Sequence, residues 1–277
     1  MSGATGSVGA AATASGSASS SIRAATTVAL WGAAWQAGAP ADEVLQAVRA
    51  VAHRAGLRSG TARVAQRVGL PGPGEASGSD LDLLGLLRRG GRPGLLVPVA
   101  GDLRGLPVGG EVLIPALDAG AVVVLPDVEL ALVPIHGQWR AFDCPSTHPT
   151  IPARDAARLL DDAIAEATRA LMAADVAVGG TAAGPPREAM AGWIRNEAVD
   201  LPRGSGPVAS SLLARAITLD ALVMAAGVHP TAAVTSGELA AVHDALGPLA
   251  AAAREARRTA VAAAVGSIMD GARTSRH

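Results

Sequence analysis

The sequence predicts an α+β protein, and three observations carry that reading. Ala-rich stretches with apolar residues at helical spacing fill both ends of the chain, four short runs of β-forming residues bounded by turn signals lie between them, and aromatic residues are nearly absent. With 49% hydrophobic but only 2% aromatic residues in 277, the interior must be built from Leu, Val, Ile and Ala. Small side chains of this kind let helices approach to the lower end of the roughly 8–10 Å interaxial range.

Met1 to about Ser21 is Gly/Ala/Ser/Thr without charge or a bulky apolar run, and reads as a disordered tail rather than a signal peptide. Ile22 to Gly38 carries Val28, Leu30, Trp31 and Trp35 on one helical face. Pro40 opens a second helix, with Asp42 and Glu43 in its first turn and Gly56 closing it, and the two are expected as an antiparallel hairpin. Leu57 to Ser79 is read as a loop. Ser79 or Asp80 caps a Leu-rich helix that Gly90-Gly91 and Pro93 stop.

Strands are predicted over Leu95–Val99, Ala121–Leu125, Val128–Pro134 and Gln138–Asp143, with a short helix from Val112 to Ala119. The first two strands would form a β-α-β unit ahead of a meander. From Pro152 onward the pattern is helical: a helix to about Ala177, a Gly/Pro-rich linker from Gly179 to Pro186, a short helix around Trp193, and another from Pro207 to Gly227. A last helix starts near Ser236, and Gly247-Pro248 is expected to kink or split it. Residues 22–270 are therefore read as one α+β domain: helical over 22–90, a small central mixed sheet over 94–144, and Ala-rich helices over 152–270.

Charge excludes more than it suggests. Lys+Arg 23 against Asp+Glu 24 gives a net charge of −1, which offers no overall attraction to nucleic acid or anionic membrane. All the basic residues are Arg, and there is no Tyr, a pattern attributable to a GC-rich genome. Without Lys there is no Walker A loop, no pyridoxal Schiff base and no Lys general base; without Tyr there is no Tyr nucleophile. One cysteine, Cys144, allows no internal disulfide and no multi-thiolate zinc site, so a cytoplasmic location and no cofactor are expected. The most apolar stretch, Leu212 to Val228, is interrupted by Arg215 and Asp220, and no membrane segment is predicted.

The candidate ligand site is Gly101–Pro107, directly after a buried-looking strand, with Asp102 and Arg104 able to hold an anionic ligand and His148 placed with them. The plainer alternative is that Asp102 and Arg104 brace their own turn. Cys144, Ser146 and His148 offer the raw material of a thiol nucleophile, but adjacency in sequence favours an extended exit strand instead. Asp161, Asp162 and Glu166 read as a solvated helix face paired with Arg158 and Arg169. Arg49, Arg54, Arg58, Arg63 and Arg67, with His53, form the one basic stretch, and Thr61 to Leu70 could open a helix-turn-helix. The following Pro71-Gly72-Pro73-Gly74 argues against it, and nucleic acid is not expected as a partner.

The succession Leu70-Pro71-Gly72-Pro73-Gly74-Glu75, the Leu-rich helix ending in Arg88-Arg89, the strand Leu95–Val99, and Gly101-Asp102 with Arg104-Gly105-Leu106-Pro107 resembles a family of uncharacterised proteins from GC-rich Gram-positive bacteria. That resemblance spans about Ala24 to Met269 and implies no activity or ligand. The function expected from the residues is that of a non-catalytic interaction or regulatory protein with a protein partner or a second copy of itself. The alternatives are an anionic-ligand binder or enzyme using Gly101–Pro107, and DNA binding through Arg49–Arg67.

Overall fold

The computed structural model describes residues 6–51, 56–145, 149–173, 184–228 and 236–274. It is an α+β protein with a five-stranded mixed sheet, and the chain divides into two compact units. Unit 1 comprises Met1–Thr150, Val199–Gly206 and Val261–His277; unit 2 comprises Ile151–Ala198 and Pro207–Ala260.

Unit 1 opens with α1 (Gly6–Ala37), which begins before the expected Ile22 and takes in part of the Gly/Ala/Ser/Thr stretch, where Ala favours the helix. Its later half is buried on several sides, from Ala24 and Ala25 through Val28, Ala29 and Leu30 to Ala33 and Ala34. It packs on α2 (Ala41–Val51), as the predicted hairpin requires, and on α4 (Asp80–Arg89). Polar groups reinforce the second contact. Trp35 Nε1 donates to the Leu84 carbonyl at 3.0 Å, Gln36 Nε2 donates to Leu87 and Gly91 carbonyls at 2.7 and 2.6 Å, and Arg88 lies over the Trp35 ring at 4.1 Å.

The stretch read as a loop, Leu57 to Ser79, contains a strand and a helix. β1 (Leu57–Ser59) pairs parallel with β5, and α3 (Ala62–Val68) runs from a Thr61 cap to Gly69 in the left-handed conformation. Three residues with an arginine at their centre are too few to display a period, so β1 left no alternation to read. Gly60 follows it with an amide donating to the Ala141 carbonyl at 2.7 Å.

β2 (Gly94–Leu96), β3 (Val122–Leu125), β4 (Leu130–Ile135) and β5 (Gln138–Asp143) complete the order β1-β5-β4-β3-β2. The predicted meander is present, but the β-α-β unit is not. β2 and β3 pair antiparallel with Leu96 opposite Val122, so the connection carrying α5 (Leu113–Ala119) starts and finishes at the same end of the sheet. Leu96, Val122, Val124, Ala131, Val133 and Phe142 share one sheet face, which Leu106, Val112, Ala116 and Ala119 cover from that connection. Leu95, Val123, Leu125, Leu132, Ala141 and Trp139 fill the opposite face, and α1 packs against β2, β3 and β4.

Unit 2 is helical: α6 (Ala153–Ala173), α7 (Gly184–Glu197), α8 (Pro207–Val228) and the first part of α9 (Ser236–Thr274). Its core joins Ala163, Ala167 and Leu171 of α6 to Leu219 and Val223 of α8 and to Val242, Leu246 and Leu249 of α9. Gly247-Pro248 does not split the helix, and α9 runs through Pro248. Burial of Leu246 and Leu249 on either side holds the helix against a proline cost of about 3 kcal/mol. By length and composition alone, Pro207–Ala226 of α8 could cross a membrane; here Leu212, Leu213, Ala216, Ile217 and Ala221 are buried, and Arg215 and Asp220 are ion-paired.

Candidate functional site

The Gly101–Pro107 loop is built by turns. Val99 and Asp102 exchange backbone hydrogen bonds of 3.1 and 2.9 Å, and Gly101, Arg104 and Gly105 all have positive φ, at 84°, 50° and 93°. Left-handed backbone at a non-glycine residue needs support, and Arg104 receives it from its own loop, its Nε donating to Asp102 Oδ2 at 2.8 Å. Both side chains are part-buried, 22% exposed for Arg104 and 33% for Asp102. Asp102 and Arg104 thus meet each other, in the bracing arrangement. His148, named with them from the sequence, lies outside the described residues, as do Ser146, His53 and Arg54.

The other candidates also have structural partners. Cys144 is 2% exposed and belongs to the cluster under the sheet. Arg49 pairs with Asp80; Arg63 and Arg67 both reach Asp143, at 3.1 and 2.6 Å; and Arg58 donates to Gln138. After α3, no further helix begins until Asp80, which is too late for a helix-turn-helix. On α6, Glu166 pairs with Arg169, whereas Asp161 is taken by Arg215 of α8 and Arg158 by Asp155 at 2.5 Å. Among the described residues, no group of three or more His, Cys, Asp or Glu is placed to hold a metal ion.

Two constellations were missed. The first is a cleft of about 520 Å³ in unit 1, walled by Ala24 of α1, Val51 of α2, Asp118 and Ala119 of α5, and the β4–β5 hairpin from Pro134 to Arg140. His136 and Gly137 both have positive φ, at 50° and 73°, and so form the two-residue turn whose twist suits a tight hairpin. Alternation along β5 sets Gln138 and Arg140 on the Phe142 face and Trp139 on the other. The sequence signal was there: an arginine at an inward-facing position of a predicted strand.

The second lies in unit 2. Arg257 is 1% exposed and donates from Nη1 to Glu197 Oε2 of α7 and from Nη2 to Asp220 Oδ2 of α8, each at 2.9 Å. Burial pushes the Asp220 carboxyl above its ordinary value of 3.8, the attraction of Arg257 and Arg254 offsetting that in part. Arg257 sits at helical spacing among the buried Ala253, Ala260 and Val261, so an arginine in an apolar stripe was the readable clue. Three helices joined through one guanidinium form a structural clasp, with no substrate-sized space around it among the described cavities.

Two family models match the chain, the N-terminal domain of Rv1486c-like protein over residues 25–156 and its C-terminal domain over residues 154–258. The two matches meet at residues 154–156, a few residues after Thr150, where the first long segment of unit 1 ends. No curated protein and no solved structure matches.

Proposed function

From the premise that the chain belongs to the Rv1486c-like family, we propose that it is a soluble cytoplasmic protein that acts without catalysis, as an interaction or regulatory protein that engages a protein partner or a second copy of itself. The observation that carries this reading is the form of the Gly101–Ile114 connection. Asp102 and Arg104 neutralise each other and stiffen the loop, and beyond it Val108 is 86% exposed and Ile114 71% exposed. Branched apolar side chains set on ordered backbone beside a braced loop lose little conformational freedom when they are covered, which favours association. Among the described candidates, Arg63 and Arg67 are paired with Asp143 and Cys144 is buried, which supports this reading. DNA binding through Arg49–Arg67 would require those pairs to open, and an anionic ligand on the Gly101–Pro107 loop would require Arg104 to release Asp102.

Light scattering coupled to size exclusion, over a hundredfold range of concentration and on material purified at low salt, tests the proposal. A defined oligomer or a stoichiometric complex is expected, and Val108→Asp with Ile114→Asp should dissociate it while leaving the circular dichroism unchanged. A monomer at every concentration with nothing co-purifying would sink the reading.

A further inference from the structure

The cleft beneath the β4–β5 hairpin carries an inference beyond association. Arg140 lines it with a half-buried side chain, its Nε is buried, and its guanidinium has no hydrogen-bond or ion-pair partner among the described residues. Trp139, wholly buried, lines the same cleft, and its Nε1 is likewise without a partner there. Buried donors are normally satisfied, and two residues that line this cleft, neighbours in sequence on opposite faces of β5, each carry a donor with no acceptor among the described residues. Elsewhere the ion pairs show how readily this chain provides carboxylates for arginines, Arg67 on Asp143 and Arg92 on Asp270 among them. Asp118 lines the same cleft yet forms no ion pair with Arg140. The volume, about 520 Å³, lies within the range of roughly 300–1,000 Å³ typical of small-molecule sites. Ala24, Val51, Ala119 and Ile135 supply apolar walls beside the donors.

We infer that this cleft binds a small organic anion, its carboxylate or phosphate held by the Arg140 guanidinium and its apolar body lying against Ile135 and Ala119, which share that face. Arginine suits the task because its planar fork matches two oxygens at once. Gln138 is held by Arg58, which donates to its Oε1; its amide N–H groups are thereby available as further donors. None of Gly101–Pro107, Val108 and Ile114 lines the cleft, so anion binding read by Arg140→Gln and association read by Val108→Asp can fail separately.

The full-length chain is titrated with inorganic phosphate and, separately, with benzoate, in buffers of matched chloride concentration, with intrinsic tryptophan fluorescence as the readout. Trp139 should give a saturable change with at least one anion; benzoate binding tighter assigns a carboxylate with an apolar body, and phosphate tighter assigns a phosphoryl group. Arg140→Gln should weaken binding roughly tenfold or more, and Arg104→Gln should leave it unchanged. Asp118→Asn, at an exposed position, should tighten binding by removing a like charge, and this variant decides the matter if Arg140→Gln does not fold. No saturable change with either anion, an Arg140→Gln protein that binds as the parent does, a loss produced by Arg104→Gln, or an unchanged affinity in Asp118→Asn would each overturn the inference.

Discussion

Gly60 shows how narrowly single positions are determined. A Cβ built there would lie 2.1 Å from Phe142 Cε1, and Phe142 is itself buried in the cluster under the sheet. Gly60→Ala should therefore cost about 1–3 kcal/mol in urea denaturation through overpacking. Restored stability in Gly60→Ala with Phe142→Leu would identify the ring as the cause. Asp220 gives a second expectation at this scale. Its carboxyl titrates higher in the folded chain than its ordinary 3.8, so between those two values the folded state holds more protons than the unfolded one. Its contribution is fully present below 3.8 and is lost as the pH rises through the folded value. Denaturation midpoints of the parent minus those of Asp220→Asn should fall with rising pH in that interval, and a rising difference would refute the assignment. None of this was legible beforehand. Gly60 stood in a presumed loop, and Asp220 was noticed only as a charge interrupting an apolar run.

At the scale of elements, legibility followed the length of the pattern. β5 was found at its true bounds, Gln138–Asp143, because six alternating residues follow a Gly-containing turn. α8 was found to within a residue at its C-terminus, whereas β1 was missed because its partner is far away in sequence and only the sheet register reveals it. The cleft was hidden for the same reason, since its walls come from α1, α2, α5 and the hairpin and no local stretch contains them. The braced turn at Asp102 and Arg104 was legible because both partners lie two residues apart. α7, α8 and α9 depend on Arg257. Arg257→Ala would leave Glu197, 2% exposed, buried beside Asp220 with the guanidinium gone, and should destabilise the helical unit by about 3–5 kcal/mol. Circular dichroism at 222 nm followed through urea would register this as an earlier transition; a shift below about 1 kcal/mol would mean that Arg257 is dispensable.

For the whole molecule, the sequence conveyed the α+β class, but nothing in composition marks Thr150 as a boundary between units. The matched C-terminal family domain stops at residue 258, whereas Val261, Ala264, Val265 and Ile268 are all buried beyond it and belong to unit 1. Ile268 lies against Gly204, Arg92 pairs with Asp270, and Trp31 Nε1 donates to the Asp200 carbonyl at 2.9 Å. A chain ending at Ala260 should accordingly lose stability in the sheet unit, each buried aliphatic side chain being worth about 1.5–3 kcal/mol. Trp139 fluorescence should report an early transition in such a chain, and an unchanged transition would contradict the assignment of that segment.

The return of α9 to unit 1 also bears on how the protein is made. A ribosome delivers the sheet early, yet two of the segments that complete its surroundings, Val199–Gly206 and Val261–His277, emerge only much later. The part translated first is thus the part finished last, and nascent chains stalled before Val261 should carry an incomplete sheet unit open to chaperones throughout synthesis of the helical one.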